Sequence, residues 1–356
     1  MILKHLELKN FRSYDSLSID FDPSINEIVG PNGVGKSNLA EAIHYLNLAK
    51  SWRTQDDRLL IKDGESEAFI TAEVVEGQLH REVRIAIAKG SKKISVNGKP
   101  IRRLSELSRL INVIVFSPAN VPLFLGSPGE RRKFLDLSIS KQSLDYFALI
   151  GRYDKLLKER NAALRAPTID ERLIDVLTEQ MIEVSYPLVK LRGLYVQELN
   201  RVLPKILTRL KGPGNAAELV YRPFVKADEN FIENARNAFS RAKESDYRYR
   251  TTSIGPQRED FSFLLNGKDI ADYGSQGENR IAVLSLKLAP FDLIEDEGRK
   301  PILVLDDVYS ELDKEHAERL GAYLQELRQV FITATKKQTE GASLIEVSAG
   351  KATRRN

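Results

Sequence analysis

The stretch GPNGVGKS at positions 30–37 constrains this 356-residue chain more than any other. Gly30, four residues, then Gly35, Lys36 and Ser37 is the spacing of a phosphate-binding loop. Glycines let the backbone turn tightly and bring its N–H groups against phosphate oxygens, Lys36 reaches the β and γ phosphates, and the Ser37 hydroxyl can ligate Mg²⁺. The expected nucleotide contacts are therefore Gly30, Pro31, Asn32, Gly33, Val34, Gly35, Lys36, Ser37 and the following Asn38. The flanks agree. INEIV (25–29) reads as a short buried strand, and Leu39, Ala42, Ile43 and Leu46 recur at helical spacing behind the loop, so the phosphates would sit at a helix N-terminus. Such a segment belongs in an α/β nucleotide-binding fold, but by itself it does not separate kinase, motor, transporter subunit and switch.

Composition narrows the setting. The chain has no cysteine, which excludes disulfides and cysteine-ligated zinc and suits the cytoplasm. His5, His44, His80 and His316 are widely spread, without metal-ligand spacing. MILKHLELKNF at the amino terminus alternates like a half-buried strand, unlike a signal peptide, and no apolar run approaches the roughly 18 residues of a membrane span. A net charge of +4 permits a polyanionic partner without requiring one.

A second motif answers the loop. ILVLDD (302–307) is an apolar strand ending in Asp306 and Asp307, and open α/β sheets place ligands at that carboxyl end. Asp306 is expected to hold Mg²⁺ with Ser37, directly or through water, while Asp307 orients or deprotonates the attacking water. Lys36, Asp306 and Asp307 form the candidate catalytic set. A third stretch, DYGSQGENR (272–280), opens an apolar helical run, so that a hydroxyl, backbone N–H groups and a helix dipole face an anion. Its Ser275-Gln276-Gly277 precedes the aspartates, and SELD (310–313) follows them. In that order the two resemble the signature motif and D-loop of ABC-type ATPases. The resemblance implies that Ser275, Gly277 and Asp313 of one subunit complete the ATP site of another, in a head-to-tail homodimer.

Between the motifs, the first third reads as strand-rich, with AFITAEVV, REVRIAIA and an Asn97-Gly98 hairpin turn, and INVIVF leads through GSPGERRKFLDLSIS into a helix. From about 130 to 250 the pattern is helical: Leu173, Leu177, Met181, Val184, Leu188, Leu191, Tyr195 and Leu199 recur at steps of three or four, with Pro187 and Pro204 predicting a kink or break. KGPGNAAE (211–218) reads as a loop, DFSFLLNGKDI and QVFITAT as strands, and AGKATRRN as a frayed tail. The expected organisation is 1–130 and 251–356 as two parts of one ATPase head, with 131–250 as a helical insertion.

The long insertion disfavours a transporter subunit and is the plan of SMC-like DNA repair proteins. LKNFRSY, GPNGVGKSN, KSWRT (50–54), GSPGERRKFLD (126–136), YDKLLKERNAAL (153–164), TTSIGPQRED (251–260), YGSQGENR and LDDVYSELD, in that order, resemble the RecF family of bacterial recombination mediators. That resemblance implies an ABC-type head with a mixed sheet and an inserted helical second domain with short arms. It also implies ATP and Mg²⁺ as cofactors, a weak ATPase used as a switch, and an ATP-dependent homodimer on DNA, at duplex/single-strand junctions or gaps. RecR and RecO are the implied partners in loading RecA, in DNA repair, recombination, replication and the SOS response. Arg12, in NFRSY, is implied to lie near the nucleotide.

Some positions depart from the wider ABC pattern. Asp307 replaces the usual glutamate, a shorter side chain suited to slow turnover. The switch histidine is missing, leaving Thr333 and Thr335 as alternatives, an acidic residue expected after Pro118 is absent, and no Q-loop glutamine is placed. For DNA, Arg201, Lys205 and Arg209 fall at four-residue steps, Arg131, Arg132 and Lys133 form a second cluster, and Arg236, Arg241, Lys243, Arg248 and Arg250 a looser third. Each is a candidate phosphate contact, or else a solvated charged face. The alternative function is an SMC-like ATPase that bridges DNA without a loading role.

Overall fold

A computed structural model describes residues 1–102 and 104–355. The chain forms two compact units: Met1–Val121, Lys205–Asn215 and Arg280–Asn356 make the first, and Pro122–Pro204 with Ala216–Asn279 the second.

In the first unit the apolar runs become a mixed six-stranded sheet. Strands Ser343–Ser348, Ile25–Val29, Val330–Ala334, Ile302–Asp306 and Val113–Phe116 lie parallel in that order, and Lys351–Arg355 pairs antiparallel on the edge. Ile25–Val29, Ile302–Asp306 and Val330–Ala334 are buried at every position, which is why they are mostly apolar and why their polar residues, Asn26, Glu27, Asp306 and Thr333, are hydrogen-bonded inside. Register then fixes the site: Asp306 lies opposite Thr333 and Ala334 opposite Val29, so the residues after these three strands emerge at one edge.

A second, antiparallel sheet of the same unit orders its strands Tyr14–Asp20, Ile2–Phe11, Glu67–Glu76, Leu79–Ala88, Ser91–Val96 and Lys99–Pro100. Its strands alternate buried and exposed, and Asn97 and Gly98 take φ of 49° and 74°, the left-handed pair of a tight hairpin. Helix Lys36–Leu48 buries Leu39, Ala42, Ile43 and Leu46 in a core shared with Leu6, Ile70, Ile85, Val304 and Phe331.

The second unit contains helices Pro128–Gln142, Leu144–Leu164 and Phe231–Tyr249 and most of Glu171–Lys211. It also holds a three-stranded antiparallel sheet of Ala217–Arg222, Asp260–Leu265 and Lys268–Asp269. Buried Arg160 donates to Asp246 and Thr252, and buried Arg192 to Asp136, Glu259 and the Pro256 carbonyl. These pairs anchor the 251–260 motif, whose Glu259 is thus committed to the fold.

Several expectations are corrected. The second unit takes in 122–130 and 251–279 and leaves 205–215 to the first, so its bounds differ from 131–250 and it is not wholly helical. Strand Ala217–Arg222 was hidden by its charged ends, and its pairing with Asp260–Leu265 makes it a strand. Helix Glu171–Lys211 runs 41 residues with Pro187 and Pro204 inside it. Each proline deletes one backbone donor, and the buried row from Ile174 to Leu210 holds the helix together on both sides. Leu173, assigned to that row, is 45% exposed. The tail pairs as a strand instead of fraying, because 351–355 hydrogen-bonds along 344–348.

Candidate functional site

The loop between strand Ile25–Val29 and helix Lys36–Leu48 is shaped by crowding. Gly30 has φ 156°, and a Cβ there would stand 2.4 Å from the Val347 carbonyl oxygen. Gly35 has φ 113°, and its Cβ would stand 2.7 Å from Ser13 Oγ. Both positions accept only glycine. Tyr14 donates its hydroxyl to the Gly35 carbonyl at 3.0 Å, and Asn38 Nδ2 donates to Ser13 Oγ at 3.0 Å. Lys36 Nζ donates to the carbonyls of Gly30 and Pro31, both at 2.8 Å, and so lies across the loop. Burial lowers the Lys36 pKa, opposed by the charges of Asp307 and Asp306.

Across from the loop, one hydrogen-bonded chain joins three elements. Ser37 Oγ donates to Asp306 Oδ1 at 2.8 Å, Thr333 Oγ1 donates to the same oxygen at 2.8 Å, and the Asp307 N–H donates to Thr333 Oγ1 at 2.9 Å. Asp307 takes φ 53°, a left-handed conformation rare for a non-glycine residue and concentrated at functional sites. Its side chain is exposed whereas Asp306 is buried. Lys36, Ser37, Asp306 and Asp307, far apart in sequence, thus lie together. The Ser37 hydroxyl and Asp306 carboxylate are hard oxygen donors of the kind Mg²⁺ takes. Of the two threonines, Thr333 is buried and holds both aspartates, whereas Thr335 is exposed one residue beyond strand Val330–Ala334.

Sequence reasoning missed Glu41. It looks like a solvated helix acid, yet it is fully buried and accepts from Arg12 Nε at 2.9 Å and Nη2 at 2.8 Å, from Arg53 at 3.3 Å, and from Ser51. Arg53 also donates to Asn38 at 2.7 Å, so the KSWRT motif braces the first helix. Arg12 adds a bond to the Leu59 carbonyl at 2.7 Å and lines a cavity of about 440 Å³ with Asn38, Arg58, Leu59, Ile61 and Asp63. Arg12 and Arg53 stand in the LKNFRSY and KSWRT motifs, but the sequence gives no signal for which acid meets them.

The signature residues Ser275 and Gly277 belong to the second unit. Ser275 Oγ accepts from the Glu278 N–H at 3.2 Å, while Glu278 accepts from the Ser275 N–H at 3.0 Å, a reciprocal capping box on helix Gln276–Leu293. At Gly277 a Cβ would meet only Ser275 Oγ, at 4.0 Å, whereas at Gly274 it would collide with Ile270 at 2.4 Å. Gly274 is required by its own fold, and Gly277 is not. Asp313 caps helix Lys314–Leu324, accepting from the His316 N–H at 2.9 Å.

The expected DNA cations divide. Arg131 is committed to Asp260 through two bonds of 2.7 Å and to the carbonyls of Phe124 and Gly126, and Arg132 donates to the Glu259 carbonyl at 2.6 Å. Their clustered charge anchors a loop to a strand, a structural task that engages the donors expected to meet DNA. Lys133 is exposed. Arg201 pairs with Glu198, Lys205 lies 3.6 Å from Asp292, and Arg209 pairs with Glu326 and stacks over Tyr323. Arg236 and Lys243 of the third cluster pair with Glu179 and Glu171. Among the described residues there is no histidine and carboxylate cluster able to hold a metal, and no helix long and apolar enough to cross a membrane.

Comparison with known proteins adds the following. The model of the RecF/RecN/SMC N terminal domain matches residues 2–353. The DNA replication and repair protein RecF of Clostridium acetobutylicum is 38% identical, covering 94% of this chain and 93% of its own. That of Halalkalibacterium halodurans is 36% identical over 98% of each. A solved structure described as the recombination mediator protein RecF-ATP in the RecFOR pathway superposes with a TM-score of 0.89 at 31% identity, covering 99% of this chain and 97% of that one. An Smc head from Pyrococcus furiosus shares the fold at a TM-score of 0.62 and 17% identity, over 99% and 95%.

Proposed function

This chain belongs to the RecF family of ABC-type ATPase heads, and we propose that it is an ATP-dependent DNA-binding dimer of recombinational repair. It acts in the cytoplasm as a mediator at duplex/single-strand junctions or gaps, with RecR and RecO, in loading RecA. The observation that carries this reading is the bonded chain Ser37–Asp306–Thr333–Asp307 beside Lys36.

In this mechanism Lys36 exchanges the carbonyls of Gly30 and Pro31 for the β and γ phosphates, a move between hydrogen-bond acceptors that needs no change in its charge. Ser37 and Asp306 would hold Mg²⁺, which would supply neutralisation of phosphate charge. Thr333 keeps Asp306 and Asp307 in fixed relation, and Thr335 is the hydroxyl left to meet the γ-phosphate. Asp307 orients the attacking water and takes its proton; its reach is one methylene shorter than glutamate's, which makes hydrolysis slow. Ser275 and Gly277 of the partner subunit close over the same γ-phosphate. The nucleotide thereby favours the dimer, and its loss reverses the bias.

The test is molar mass by sedimentation without nucleotide, with ATP and Mg²⁺, and with DNA added. A dimer only with ATP, strengthened by DNA, is expected. Ser275→Arg is expected to abolish that dimer while sparing ATP binding. A mass indifferent to ATP would sink the reading.

A further inference from the structure

We propose that the outward face of helix Leu144–Leu164, together with Tyr249 at its far end, is a track for single-stranded DNA. The YDKLLKERNAAL motif divides cleanly in the structure. Tyr153, Leu156, Arg160 and Leu164 are buried, with Tyr153 bonded to Gln257, Arg160 to Asp246 and Asn161 to the Thr252 N–H. The inward residues of this helix are thus accounted for by the fold.

The outward residues are not. Arg152, Lys155, Lys158 and Arg165 are all exposed, on one broad side of the helix by its periodicity. Among the described residues only Lys155 of the four has a carboxylate within 4 Å, that of Glu159 at 3.8 Å. Asp154 and Glu159 are the acids among them, which leaves a cationic excess. Small residues share this face: Ala148 and Gly151 precede Arg152, Ala162 precedes Arg165, all three are exposed, and a Cβ at Gly151 would meet nothing within 4 Å. A mid-helix glycine lowers helix propensity, and no packing demands this one. A backbone can therefore follow the face, where Arg152 to Arg165 spans about 20 Å.

An aromatic side chain terminates this face. Arg250 donates to the carbonyls of Leu164 at 2.9 Å and Ala166 at 3.3 Å, which ties the end of helix Phe231–Tyr249 to the end of helix Leu144–Leu164. Tyr249, next to it, is 68% exposed, and Arg248 is exposed as well. The tyrosine is held on a fixed platform because Thr252 and Ser253, just beyond, are bonded to Asn161 and Asp246. An exposed ring next to arginines, tied to the end of a cationic helix face, is a combination that binds unpaired strands, the ring taking a base and the cations the phosphates. A duplex presents no free base face, so the ring favours the single-stranded side of a junction.

This inference rests on the reading that the chain binds DNA, and the experiment separates the two. Binding of fluorescein-labelled oligonucleotides, single-stranded, junction and blunt duplex, is titrated by anisotropy across a salt series. The proteins are wild type, a variant carrying Arg152→Ala, Lys155→Ala and Lys158→Ala, and Tyr249→Ala beside Tyr249→Phe. The triple variant is expected to lower the slope of log K against log salt by about 2 on single strands. Tyr249→Ala is expected to weaken single-strand and junction binding about tenfold, leave the salt slope and blunt-duplex binding unchanged, and be rescued by phenylalanine. Wild-type binding that neither change alters overturns the inference and leaves the DNA-binding reading standing. Equal loss on blunt duplex overturns the stacking role, and no wild-type binding overturns both readings. All the altered side chains are exposed, and an unchanged thermal midpoint confirms that each variant is folded.

Discussion

At Gly277 the helix leaves open a space that its own fold does not need. Replacing a helical glycine by alanine commonly stabilises by about 1 kcal/mol, and no neighbouring atom at this position opposes the change. Gly277→Ala is therefore expected to raise the thermal midpoint and yet weaken the ATP-dependent dimer in sedimentation. A dimer of undiminished strength would mean that nothing approaches this helix end closely. Asp307→Asn is expected to lower steady-state phosphate release at least a hundredfold, in the range of lost general-base catalysis, while ATP still drives dimer formation. The aspartate pair was legible in the sequence because an apolar strand ending in two acids is unusual. Glu41 was not, since its burial depends on Arg12 and Arg53 arriving from other segments.

Secondary elements were readable where burial leaves a mark on periodicity. Strands Ile25–Val29 and Ile302–Asp306 carry only apolar or internally bonded residues, and the Asn-Gly pairs at 97–98 and 266–267 mark their hairpins. Strand Ala217–Arg222 lacked any such mark, because its identity comes from pairing with Asp260–Leu265 across a long stretch of chain. The Arg131–Asp260 contact belongs to this scale, joining helix Pro128–Gln142 to that strand. Arg131→Ala is expected to destabilise the protein by about 2 kcal/mol, the range for losing hydrogen bonds to a charged group at a half-buried site, and to leave the salt slope of DNA binding unchanged. Urea unfolding and the anisotropy titration measure the two effects. Burial pushes the Asp260 carboxyl up, but the hydrogen bonds and charge of Arg131 outweigh it and hold the group below its ordinary 3.8. A depressed carboxylate lends its stability above the unfolded-state value and loses it as pH falls through the folded one. The gap between wild type and Asp260→Asn in urea midpoint is thus expected to stay level above that 3.8 and to close below it.

The whole molecule makes its nucleotide site from distant parts of the chain. Ser37 and Asp306, in direct hydrogen bond, are 269 residues apart in sequence, and Gly30 is confined by the carbonyl of Val347. A fragment holding residues 1–121 contains the entire GPNGVGKS loop, yet it is expected to show no saturable binding of a fluorescent ATP analogue. Tight binding by that fragment would mean that the loop alone sets affinity. The same separation governs the order of events during synthesis. A ribosome has made Lys36 long before it has made the aspartates that Lys36 serves, and at ordinary elongation rates of about 5–20 residues per second the interval lasts many seconds. During that time strand Ile25–Val29 waits for partners that do not yet exist. Nucleotide binding is therefore among the last properties this protein acquires, and its onset reports that strand Ser343–Ser348 has found its place beside Ile25–Val29.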